Sequence, residues 1–302
     1  MNIFKKINHW KHIIMTMSDN VKQIRFNQKR YILEQNLLKS KVSGISDERY
    51  CNHDIIVSLT TYGRRIHDVY LPIESIMCQT MKANRIILWL DYSFRDRPLP
   101  RSLQMQQERG LEIHFCKDIK SYTKLIPSLK KYPNDVIITI DDDHIYEFDM
   151  LENLITAYLH NMAYIYCCRY HYMVLNRHGK LMPYNKWKQR YDVTNKEDIM
   201  NFPNGCGGIL YPPHSLDDEV FNESVFMDIC RYADDVWFKA MALKKGTLSM
   251  KVPTHEPDGN DALENNHVQD TGLKKINTEG ACMNDKQIDA VFNRYDLFKL
   301  LK

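Results

Sequence analysis

The sequence predicts an α/β fold, a sheet covered by helices on both faces with a helical extension at the N-terminus. Three observations carry that prediction. Short β-branched runs alternate with helix-spaced stretches from Ile55 to Ile140. The first and the last of these runs end in clusters of polar residues, as strands do where an open sheet meets a ligand. The most β-branched run, Val136 to Ile140, stops at three consecutive aspartates, Asp141, Asp142 and Asp143.

Size and composition permit such a core and exclude several alternatives. A chain of 302 residues with 44% hydrophobic and 26% charged residues is of ordinary globular make-up. A net charge of +3 does not indicate nucleic acid as a partner. The eight cysteines lack CxxC spacing, and Cys116, Cys167 and Cys168 lie in apolar runs. They are expected to be small buried hydrophobes in a reducing, cytoplasmic compartment, with neither a disulfide frame nor a zinc site. No run reaches the ~18 apolar residues of a membrane span, and no signal peptide is evident.

Residues 1 to 50 read as a separate basic extension. Ile3, Ile7, Trp10, Ile14 and Met17 trace one stripe of a helix, surrounded by Lys5, Lys6, His9, Lys11 and His12. Such a helix serves equally to lie on an anionic membrane surface, to pack on its own domain, or to pair in a homodimer. Ser43 to Asn52 is polar and reads as a linker into a main domain over 51–302, with halves at 51–146 and 147–302.

The main domain opens with a buried strand from Ile55 that runs into Thr60, Thr61, Tyr62, Gly63, Arg64 and Arg65. This loop is expected to border the site, with Arg64 and Arg65 offering guanidinium forks for phosphate. A helix over about 67–79 follows, then a strand from Arg85 to Leu90 ending at Asp91. A short helix stops at Gly110, and Leu111 to Cys116 forms the third strand. A loop and helix carrying Lys124 lead to the Asp-rich strand. Three carboxylates at the end of a buried strand repel one another and resist desolvation, and a divalent cation relieves both costs. Oxygen ligands suit Mg²⁺ or Mn²⁺.

Beyond a helix over 147–161 and a strand over 164–168, the chain turns polar and aromatic. Tyr170, His171, Tyr172, Tyr184, Trp187 and Tyr191 stand among Arg177, Lys180, Lys186 and Arg190. Such rings either stack on sugars or pack on one another. Asn204, Gly205, Gly207 and Gly208 precede a short apolar strand, a pattern that lets backbone approach a ligand closely. It matches neither a Walker A loop nor GxGxxG. Asp234 and Asp235 then open a helix whose buried stripe is Val236, Ala240 and Leu243. A strand over 250–255 is expected to end at His255, and an amphipathic helix after Asn284 closes the chain.

The apolar strand ending in Asp141-Asp142-Asp143 resembles the DxD motif of GT-A-fold glycosyltransferases, and the run from Thr123 to Asp143 is much like bacterial surface-polysaccharide transferases. The resemblance spans about Ile55 to His255. It implies a Rossmann-like mixed sheet and a nucleotide-sugar donor, UDP- or GDP-linked. It also implies a glycan or lipid-linked glycan acceptor and a Mn²⁺ or Mg²⁺ cofactor. Asp141 and Asp143 match the metal pair, with His255 as a further metal ligand and His267 as its alternative. Asp142, Asp91 and Lys124 match donor-binding positions. Asn204, Gly205, Gly207, Gly208 and Trp237 fall on the acceptor side. The Asp234-Asp235 pair stands where inverting relatives carry their base, often as Glu-Asp, and Asp235 matches the second acid. A two-metal nuclease or a nucleotidyltransferase also clusters aspartates, and a relative that only binds glycan is a third possibility.

Overall fold

The computed structural model describes residues 3–187, 196–256, 259, 261–271, 277 and 283–301. Arg190 and Tyr191 lie outside them. Four β-branched runs form parallel strands β1 (Ile55–Thr60), β2 (Arg85–Asp91), β3 (Leu111–Cys116) and β4 (Val136–Thr139). Later come β5 (His144–Ile145), β6 (Ile165–Cys167), β7 (Tyr170–Tyr172), β8 (Asn201–Pro203), β9 (Ile209–Tyr211), β10 (Ser249–Lys251) and β11 (Leu263–Glu264). Among the described residues, seven strands share one sheet in the order β3-β2-β1-β4-β9-β6-β10. Strand β9 runs antiparallel between β4 and β6, which makes the sheet mixed, as expected for the fold class.

Helices cover both faces because alternate strand residues point to opposite sides. Ile55, Val57 and Leu59 pack on α2 (Tyr70–Met77), α3 (Arg101–Gln107) and α5 (Met150–His160). Ile56, Ile87 and Ile137 face α4 (Ile126–Lys131), α6 (Glu223–Ile229), α7 (Asp234–Lys245) and α8 (Met283–Arg294). The helix expected over 67–79 is shorter, because Gly63–His67 forms a 3-10 turn ahead of it. Strand β10 stops at Lys251 before reaching His255, since Pro253 has no N–H to continue a ladder. Cys167, Cys168 and Cys230 are buried, Cys116 is half-buried and Cys78 is exposed.

The N-terminal segment is one helix of 37 residues, α1 (Ile3–Lys39), and its second half docks on the sheet domain. Phe26 and Leu33 pack on Leu71, Ile145 and Leu263. Asn36 Nδ2 donates to Glu74 Oε1 at 2.6 Å, and Glu74 also receives Arg109 Nη1 at 2.7 Å. The polar stretch after it is held too. Gly44 N–H donates to Arg109 O at 2.8 Å, and a Cβ at Gly44 would meet Met77 at 2.4 Å. Among the described residues, no helix is long and apolar enough to cross a membrane.

One buried cation in this core costs stability. Lys239 on α7 is 3% exposed, and its Nζ has no hydrogen-bond partner among the described residues. Burial pushes its pKa down to about 7, against the smaller opposing pull of Asp198 and Cys167. The folded state therefore binds fewer protons than the unfolded chain between about pH 7 and the ordinary lysine value of 10.5. Stability from this group rises with pH through that window. Lys239→Met should stabilise the protein by a few kcal/mol, on the order of 2–4, at pH 7 and below, and by much less near pH 10. Urea unfolding at pH 6.5 and pH 10 measures this, and equal effects at both would contradict it.

Candidate active site

The polar ends of β1 and β4 meet in a charged cluster at the carboxyl edge of the parallel strands, where open α/β sheets hold ligands. Asp142 is drawn inward. Thr61 Oγ1 donates to its Oδ2 at 2.6 Å and Arg65 Nη1 to its Oδ1 at 2.6 Å. Arg65 is itself buried, reaches Asp143 Oδ2 at 3.3 Å and donates to Val268 O at 3.0 Å. It thus clamps the triplet from inside and is not a free phosphate fork. Asp142, expected at the donor, is the buried counter-charge of that clamp. Burial pushes the Asp142 carboxyl up to about 6, although Arg65 opposes the shift. Burial also acts on Asp143, but His144 and Arg65 outweigh it and hold that carboxyl below the usual range.

The two flanking aspartates stay at the surface of the cluster. Asp141, Asp143 and His144 place one ligand atom each within 4.8 Å of one another. His144 Nδ1 and Asp143 Oδ1 lie 2.6 Å apart, and Gln269 Nε2 donates to Asp143 Oδ2 at 2.9 Å. Two carboxylates and an imidazole are an acceptable donor set for Mn²⁺, and fit Mg²⁺ less well. The histidine in this group is His144, and not the expected His255. His255 is exposed and pairs with Asp149 at 3.0 Å, so it lies outside this group, and His267 is exposed as well. His144 stood next to the triplet in sequence. That adjacency was its only signal, and a search for oxygen donors passes over it.

Lys124 joins the triplet to the helix that carries the second acidic pair. Its backbone carbonyl accepts from Ser58 Oγ at 2.6 Å, which fixes the turn over β1. Its Nζ lies 2.8 Å from Asp141 Oδ1 and 3.0 Å from Asp234 Oδ2. Lys124 is 6% exposed. Burial would lower its pKa, but the charges of Asp141, Asp234 and Asp235 overcome it and raise the pKa well above normal.

The glycine segment makes this close approach feasible. A Cβ at Gly205 would stand 2.8 Å from Lys124 Nζ and 2.9 Å from Asp235 Oδ1. Asn204 accepts from Cys206 N–H, and Gly208 takes φ +93°, a value suited to glycine. Gly207 closes on Arg169, where a Cβ would meet backbone at 3.0 Å. Gly205 N–H donates to Asp235 Oδ2 at 3.0 Å. The other oxygen of Asp235 is buried and takes no hydrogen bond among the described residues. Burial, then the neighbouring Asp234 charge, push Asp235 up to about 7, with Lys124 opposing. A carboxylate so poised can take a proton near neutral pH.

Other expected positions make contacts of their own. Trp237 is fully buried and donates to Val220 O at 3.2 Å, so it packs the core and cannot meet an acceptor. Its place one turn into α7 turns it under the helix while Asp234 and Asp235 sit at the start. The rings of Tyr184, Trp187 and Phe202 pack edge-on or tilted, with centroids 4.9 to 6.0 Å apart, and His171 joins them at 5.3 Å. Asp91 accepts from Ser93 N–H at 2.8 Å at the end of β2, and Thr60 Oγ1 donates to Trp89 O at 3.0 Å. Tyr62 and Arg64 are exposed on the same edge. Beside them a cleft of about 300 Å³ opens, lined by Arg64, His67, Phe94 and Arg97.

No family model matches this chain, and no curated protein matches it in sequence. Solved structures do resemble it distantly. One is the mannosyltransferase PcManGT from Pyrobaculum calidifontis in complex with GDP-Man and Mn²⁺, at 11% identity and TM-score 0.48, over 95% of this chain and 81% of that one. Another is residues 1–349 of TarS from S. aureus, at 11% identity and TM-score 0.45, over 80% of this chain and 71% of that one. A third is a cytidylyltransferase from Leptospira borgpetersenii, at 10% identity and TM-score 0.43, over 82% of this chain and 97% of that one. At such distances these likenesses decide nothing about chemistry, and the function proposed below rests on this chain's own residues.

Proposed function

We propose that this chain is a metal-dependent, inverting glycosyltransferase that moves a sugar from a nucleoside diphosphate donor to a surface-polysaccharide acceptor. One observation carries the proposal. A single buried cation, Lys124, spans from Asp141 of the triplet to Asp234, and the adjacent Asp235 keeps one carboxylate oxygen without a donor. A diphosphate side and a basic side thus face one another across Lys124. Asp141, Asp143 and His144 would hold Mn²⁺ or Mg²⁺, and such an ion, when bound, neutralises charge on a departing diphosphate. Asp235 accepts the proton of the acceptor hydroxyl, and Asp234 is held by Lys124 and orients its neighbour. A base on the acceptor side supports direct displacement and hence inversion at the anomeric carbon. The cleft beside Arg64 and His67 is the place for the nucleoside.

The test is a binding and product experiment. Calorimetric titration of UDP and GDP with Mn²⁺ present should show binding that Asp143→Asn weakens by about 10-fold or more, since even residues behind a metal ligand cost that much. The melting temperature of the variant should fall only modestly, because Arg65 keeps Asp142 as its counter-charge. Incubation with a panel of nucleotide sugars should release a nucleoside diphosphate. Release of pyrophosphate from nucleoside triphosphates would instead make the chain a nucleotidyltransferase. Unchanged metal-dependent binding in Asp143→Asn would remove that residue from the metal site.

A further inference from the structure

We infer that the outer face of α1 is a self-association seam, and that α1 of a second copy of this chain packs along it in parallel. Met17, Ile24, Tyr31 and Leu38 recur every seven residues and are 62%, 57%, 64% and 65% exposed. Trp10 stands one repeat earlier at 61% exposure. Val21, Gln28 and Gln35 form the intervening row at the same interval. At about 100° per residue these rows lie opposite Phe26, Leu33 and Leu37, the residues buried against the sheet domain. Among the described side chains, the helix therefore carries a second apolar row, from Met17 to Leu38, that the sheet domain does not bury.

The interval identifies the occupant. A stripe that suits a flat surface repeats every 3.6 residues, whereas a strict seven-residue repeat follows a partner helix in a left-handed supercoil. The polar positions agree. Gln28 and Gln35 sit within the seam, and an amide is both donor and acceptor, so each pairs with its own copy across a two-fold axis. Acyl chains would leave those amides unsatisfied. Two cations in the middle of the helix are also engaged within the chain. Arg25 lies 3.5 Å from Glu147 and 3.5 Å from Glu256, and Lys29 pairs with Glu147 as well. At roughly 100 Å² for each large exposed side chain, two copies remove on the order of 1,200–1,400 Å², enough for a specific dimer.

Sedimentation equilibrium of the full chain tests the inference, and a dimer at micromolar concentration is expected. The double variant Ile24→Lys, Tyr31→Lys should weaken the dimer by about 100-fold or more while the melting of the domain is kept. Gln28→Cys and Gln35→Cys should each yield a disulfide between the two copies of the same position, identified by peptide mass spectrometry, because a parallel, in-register pair brings both positions together whereas an antiparallel pair brings together at most one. A chain that stays monomeric at tens of micromolar would overturn the inference, as would a dimer that survives the double variant. A dimer lacking either disulfide would overturn the parallel register. A monomer that sediments with phosphatidylcholine–phosphatidylserine vesicles would make the seam a lipid-binding face instead.

Discussion

Asp235→Asn is expected to lower kcat by about 10²–10⁴-fold, the range in which a positioned proton acceptor contributes. The donor that the nucleotide-sugar panel identifies should bind almost as tightly as before. Asparagine keeps the acceptor for Gly205 N–H, which now bonds Asp235 Oδ2 at 3.0 Å, so the glycine segment stays in place. What it loses is the ability to take a proton on the oxygen that has no donor. An interaction needed only as the proton moves lowers kcat and kcat/KM together and leaves donor affinity alone. The parent enzyme should also show a pH dependence. Burial and the Asp234 charge push Asp235 up to about 7. Its basic form is lost as pH falls through that value, so kcat/KM should decline on the acid side of neutrality. In Asp235→Asn that limb should vanish. Near-normal turnover in this variant, with an inactive Asp234→Asn, would transfer the role to Asp234. Retention of anomeric configuration would end the single-displacement mechanism.

Lys124→Met is expected to cost about 3 kcal/mol of stability or more, because removing one partner of a buried ion pair strands the other charge. Here the ammonium contacts two carboxylates, at 2.8 and 3.0 Å, and a third stands close by on Asp235. The parent's contribution is sign-definite. The Lys124 pKa is raised in the folded state, so its stabilisation is full below the ordinary lysine value and is lost only as pH rises through the raised one. In the variant Asp235 has lost the cation that opposes its upward shift and holds its proton more strongly than in the unfolded chain. The variant's stability should therefore fall as pH rises from about 5 to 8. Urea unfolding across that range reads the effect, alongside diphosphate binding, which should also weaken. A variant that melts like the parent at pH 8 and binds diphosphate unchanged would show that Lys124 holds neither the fold nor the site.

The fold was legible in local pattern. Runs such as Ile55–Leu59 and Val136–Ile140 have one stable use in a chain of this size, as strands buried on both faces, and the helices between them dictate parallel pairing. The glycine-rich turn pointed to close approach of backbone to a ligand, whereas what Gly205 meets in the fold is Lys124 and Asp235. The Asp triplet marked the site, but not what each member does there. Arg65 and Thr61 turn Asp142 inward because the loop after β1 meets a turn near Val268, far along the chain. No local pattern encodes that meeting. The same holds for the histidine. His144 adjoins Asp143, whereas His255 is carried away to Asp149 once Pro253 ends the strand. Trp237 and Asp235 share one helix start, and only packing against Val220 and the C-terminal helix decides that the indole goes in while the carboxylate meets Gly205. Sequence alone thus determined which segments are buried and where charge gathers, because those follow from desolvation along the chain. Which charge meets which partner was decided by tertiary structure, because electrostatic pairing depends on distances between residues that the chain brings together only by folding.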